Sequence, residues 1–134
     1  SRKITRSVAE ISNKDEAGRA ESQLPIRDIS ARTDWSAATD FVRAFHLSLQ
    51  ADVAMDYVLA SGKVHSVRNF LEEAFQTIDL DWRRFVCTQQ SSDSLQRPCL
   101  QGNPLRAYQQ LGWQPDTSFS QMIREMVHFD LQAL

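Results

Sequence analysis

Three apolar stripes at three-to-four-residue spacing limit this chain to a helix-rich architecture. Val67, Phe70, Leu71, Ala74, Phe75 and Ile78 form the clearest one. Ser66 stands at its cap position, and Glu72 and Glu73 lie off the stripe. Trp35, Ala38, Phe41, Val42, Phe45 and Leu49 form a second, with Asp34 as candidate cap and Asp40 and Arg43 facing outward. Phe119, Met122, Ile123, Met126, Val127 and Leu131 form the third, starting at Thr117 or Ser118. A fourth helix is predicted from Asn103-Pro104, an N-cap and first-turn pair, to Gly112, with Leu105, Tyr108 and Leu111 on one side. Ile4, Val8 and Ile11 keep helical spacing from the first residues, so the chain starts as if inside an element, and we read it as a fragment.

Strand signals are short. Leu24 to Ile29 is a weak one, and Pro25 confines it to an edge. Asp56 to Ser61, closed by Gly62, reads as a strand buried on both faces or a core segment, its length favouring the strand, and Trp82 to Thr88 reads as a strand. Ser12 to Gln23 is polar and charged and is expected to be a mobile loop, with a second polar loop at Gln89 to Gln96. The expected fold class is therefore α/β: one small helix-rich lobe over residues 1–134, with four or five helices around a few short strands. A chain of 134 residues buries roughly two thirds of its unfolded surface, which is enough for a core without metal or disulfide staples.

Charge and composition exclude several functions. The formal net charge is -2 and the pI about 5.9, which argues against a nucleic-acid phosphate binder. No apolar stretch approaches the ~20 residues of a membrane span, and a cytoplasmic location is expected. Cys87 and Cys99 are the only cysteines and match no metal spacing. His46, His65 and His128 are scattered, so no metal site is expected.

Catalytic groups are missing as well. A dinucleotide-binding turn packs several glycines into about six residues, so that backbone can approach a pyrophosphate. Here the closest two glycines, Gly102 and Gly112, lie ten apart. A tyrosine acid/base of a nicotinamide enzyme needs a lysine one helical turn on to lower its pKa. Tyr57 is followed at that spacing by Ser61, and Tyr108 by Gly112. There is no Gly-x-Ser-x-Gly elbow and no Gly-Lys-Ser/Thr loop. The expected catalytic set is empty.

Several segments together resemble the C-terminal part of the GDP-mannose 4,6-dehydratases, extended short-chain dehydrogenase/reductases. They are Ser1-Arg2-Lys3-Ile4-Thr5-Arg6-Ser7-Val8-Ala9, Asp34-Trp35 with Asp40-Phe41-Val42, Asp56-Tyr57-Val58-Leu59-Ala60-Ser61-Gly62 and His65-Ser66-Val67-Arg68-Asn69-Phe70. Arg97-Pro98, Leu100-Gln101-Gly102-Asn103-Pro104, Leu111-Gly112-Trp113-Gln114-Pro115 and Arg124-Glu125-Met126-Val127 continue it. The Tyr-x-x-Ala-Ser-Gly and His-Ser-Val-Arg run is the most specific piece. Leu-Gly-Trp-x-Pro is common to many nucleotide-sugar enzymes.

The resemblance implies that an N-terminal Rossmann domain, absent from this chain, binds NADP and carries the catalytic Thr, Glu and Tyr-x-x-x-Lys. The present chain is then the substrate-binding lobe that closes over GDP-mannose, with no cofactor of its own. Lys3 matches the family's lysine after Thr-Arg, expected near the nucleotide-sugar. Arg97 matches the arginine expected on the ribose or diphosphate, through its planar donors. The chain also departs from the family. Where the family writes Arg-Asp-Trp-Gly-His, this chain has Thr33-Asp34-Trp35-Ser36-Ala37, with Arg32 one residue too early. After Arg97-Pro98 the family's Glu-Val-Asp is missing, and Cys99 runs directly into Leu100-Gln101-Gly102. Losing one charge-assisted phosphate contact costs ~1.5–3 kcal/mol of affinity, so the substrate site is expected to be eroded, and the chain is read as a fragment or a diverged copy of such a lobe. Two other readings stay open: a non-catalytic interaction module derived from the lobe, self-associating as a homo-oligomer, and the lobe of a related epimerase or reductase.

Overall fold

The computed structural model describes residues 1–16, 23–88 and 99–134. Among them are five α-helices and four three-residue strands: α1 (Arg2–Glu16), β1 (Leu24–Ile26), β2 (Arg32–Asp34), α2 (Ala38–Leu49), β3 (Val64–Ser66), α3 (Val67–Gln76), β4 (Val86–Thr88), α4 (Leu105–Leu111) and α5 (Phe119–Gln132). The helix-rich α/β class expected from the sequence is what the chain adopts. It divides into two compact units. One takes residues 1–31, 66–97 and 123–134, the other residues 32–65 and 98–122.

The first unit is built on α1, α3 and the later part of α5. Ile4, Val8 and Ile11 are buried on α1, as their spacing requires, beside Phe70, Leu71, Ala74 and Phe75 of α3 and Ile123 and Val127 of α5. α3 starts where its cap residue predicts. Ser66 Oγ accepts from Asn69 N–H, and the Asn69 side chain answers by accepting from Ser66 N–H, so two otherwise orphaned donors are satisfied together. β1 pairs with β4 in parallel, Leu24 opposite Val86, and Pro25 is tolerated because β1 has a single strand neighbour. The Trp82–Thr88 stretch divides into a 3₁₀ turn at Trp82–Arg84 and strand β4. The Asp81 side chain caps that turn by accepting from Arg83 N–H, so the chain bends before it can extend. α1 runs on to Glu16, past the Ser12 at which the loop was expected to begin. Residues 17–22 and the loop at 89–96 lie outside the described residues.

The second unit packs α2 against α4. Ala44 and Ala107, both fully buried, let the two helices approach, and Trp113 closes the cluster, with Leu47, Tyr57, Leu59 and Leu111 around it. Gly112 ends α4 in the left-handed conformation at φ +63°, as its position after the stripe predicts. α4 opens one residue later than read, at Leu105 with Pro104 in the cap position, and Asn103 Oδ1 accepts from Leu105 N–H.

Several sequence expectations are overturned in this unit. Asp34 does not cap α2, which starts three residues later behind Ala37. Asp40 is buried rather than outward, because its carboxylate accepts from the backbone N–H groups of Asp116 and Thr117 at 3.2 and 3.1 Å. Val42, Phe45 and Leu49 are exposed, and so are Leu105 and Tyr108 of α4, because the alanine-lined contact rotates the inner faces toward Ala44 and Ala107. Residues 56–61 form no strand among the described residues; the strand lies further on, at β3, which pairs with β2.

Candidate functional site

A connected polar feature of the second unit is a carboxylate clamp. Ser61 donates to Asp34 Oδ1 through both its backbone N–H (3.0 Å) and its hydroxyl (2.5 Å), and Gly62 N–H donates to Asp34 Oδ2 at 2.9 Å. Gly62 turns at φ +71°, a conformation that glycine adopts without a steric penalty. Its carbonyl accepts from Gln101 Nε2 at 2.6 Å. Asp34, Ser61, Gly62 and Gln101, all in the runs that carry the family resemblance, are thus one network that fixes the ends of three loop segments. The next residues add an aromatic set, in which the His65 ring stacks on Phe119 at 3.8 Å and Trp35 packs on the same Phe119 at 5.8 Å.

In the first unit, Lys3 is exposed on the first turn of α1. Its ammonium donates to the Pro25 carbonyl at 3.5 Å, a bond long enough to leave the group loosely held. Arg97 lies outside the described residues. Lys3 therefore stands alone as the placed member of the predicted pair. Two contacts gave no sequence signal. Thr5 Oγ1 donates to Asp130 Oδ2 at 2.7 Å across 125 positions, and Trp113 Nε1 donates to the Asp40 carbonyl at 2.8 Å. Both join residues far apart in sequence, which spacing within one element cannot reveal.

The arrangement offers hydrogen-bonded loops and backbone and side-chain donors. Tyr57 is half-buried against the Trp113 cluster and Tyr108 is exposed, each without the lysine that an acid/base tyrosine requires. Among the described residues, Gly62 serves a turn and Gly112 a helix end, both at positive φ. Among the described residues no three His, Cys, Asp or Glu side chains cluster as metal ligands. No helix among them is long and apolar enough to cross a membrane.

Comparison with known proteins gives these features a family. The family model for GDP-mannose 4,6 dehydratase matches residues 1–126. The GDP-mannose 4,6 dehydratase of Dictyostelium discoideum is 37% identical over 99% of this chain and 41% of its own length. The human enzyme is 33% identical over 99% of this chain and 39% of its own. The chain thus spans about two fifths of the curated relatives it matches. Among solved structures, RMD from Pseudomonas aeruginosa complexed with NADPH superposes with a TM-score of 0.82 at 17% identity, over 98% of this chain and 43% of that one. A UDP-glucose 4-epimerase from Thermotoga maritima with UDP-glucose gives 0.71 at 17% identity, a likeness of fold. With its Asp34 clamp and Ser61-Gly62 turn inside the matched region, the chain belongs to the GDP-mannose 4,6 dehydratase family and corresponds to a C-terminal part of it.

Proposed function

We propose that this chain is the nucleotide-sugar-binding part of a GDP-mannose 4,6-dehydratase-like enzyme and that it acts only with the cofactor-binding remainder. One observation carries the reading: a family match over residues 1–126 in a chain that covers 41% of a relative and holds neither a glycine-rich turn nor a tyrosine-lysine pair. In this reading residues 1–134 serve as a single substrate-binding lobe. The intact enzyme would convert GDP-mannose to GDP-4-dehydro-6-deoxy-mannose with loss of water, and NADP bound by the other domain would supply the hydride-transfer chemistry. The present residues bind and orient. Lys3 supplies a mobile cation to the diphosphate, and Arg97 offers paired N–H donors to phosphate or ribose. The Asp34 clamp keeps the Ser61-Gly62 turn from moving as ligand enters. A cytoplasmic location fits the two free thiols, Cys87 and Cys99, both exposed.

The test is calorimetric titration with GDP-mannose of the chain joined to the remainder of a family enzyme. Lys3→Ala and Arg97→Ala should each weaken binding by roughly tenfold or more, consistent with ~1.5–3 kcal/mol for a charge-assisted bond. Unchanged affinity in both variants would remove them from the site.

A further inference from the structure

We draw no further inference here: the strongest candidate, the groove of about 500 Å³ at the end of α2 that Leu47, Asp52, Val53, Met55, Tyr57 and Leu111 line, carries nothing because nothing in the structure shows what covers it.

Discussion

Asp130 is 6% exposed and accepts a hydrogen bond from Thr5, itself fully buried, so a carboxylate sits inside the first unit with a hydroxyl as its partner. Removing one member of such a pair costs far more than removing both, because the survivor keeps its desolvation penalty and loses its compensation. Thr5→Val should therefore destabilise the chain by ~2–3 kcal/mol, whereas Thr5→Val with Asp130→Leu should return to within ~1 kcal/mol of the parent. Urea unfolding of the three proteins checks this, and equal losses in the single and double variants would contradict it. Ser36 presents the opposite situation. Its buried hydroxyl has no hydrogen-bond partner among the described residues, at a position where the family motif carries glycine. Ser36→Ala should raise stability by ~1 kcal/mol, read as a higher urea midpoint at constant slope. Neither residue was legible in the sequence. Thr5 sits in an apparently ordinary helical turn, and its partner is 125 positions away. Asp40 misled for a related reason, since its acceptors' donors, the N–H groups of Asp116 and Thr117, belong to a distant loop that helical periodicity does not report.

Elements whose determinants are local were legible. Ser66 with Asn69, Asn103 with Leu105, and Gly112 after Leu111 mark helix ends through contacts spanning a few residues, and the structure puts the ends there, the start of α4 one residue later than read. Elements that depend on a partner were not. Residues 56–61 have the composition of a buried strand, but a strand needs a second one to bond with, and none pairs there among the described residues. The stripe of α2 was read as an inward face for the same reason: apolar spacing shows that a face is to be covered without saying by what. Gly102 shows how tightly this segment is nevertheless held. A Cβ added there would lie 2.2 Å from the Cβ of Ala60, well inside contact distance, so the glycine answers a close approach of two backbones. Gly102→Ala should cost ~1–3 kcal/mol by overpacking. Adding Ala60→Gly should recover part of that loss, less the ~0.5–1 kcal/mol of entropy a new glycine brings. Chemical denaturation of both variants is the measurement, and a Gly102→Ala protein as stable as the parent would show that the loops separate freely.

At the scale of the whole molecule, the proposed substrate-binding role raises the question of how a diphosphate would be held when one expected cation has moved by a residue. β2 is a strand in the structure, so successive side chains point to opposite faces. Arg32 therefore shares a face with Asp34, which is committed to Ser61 and Gly62, while Thr33 faces the other way. Arg32 cannot stand in for an arginine at position 33 by a rotamer change, because the strand directs it to the wrong side. The sequence showed the one-residue offset, and the strand assignment turns it into a change of face. For the chain joined to the remainder of a family enzyme, Thr33→Arg should tighten GDP-mannose binding by about tenfold to a hundredfold, the equivalent of ~1.5–3 kcal/mol for one charge-assisted phosphate contact. Moving the charge the other way separates geometry from net charge: Arg32→Thr should leave affinity nearly unchanged, and the Arg32→Thr, Thr33→Arg pair should bind as tightly as Thr33→Arg alone. Titration of the four proteins with GDP-mannose, at one ionic strength because surface cations are screened by salt, decides it. Equal gains from an arginine at either position would mean that the diphosphate senses only the overall field, and the strand's alternation would then play no part in recognition.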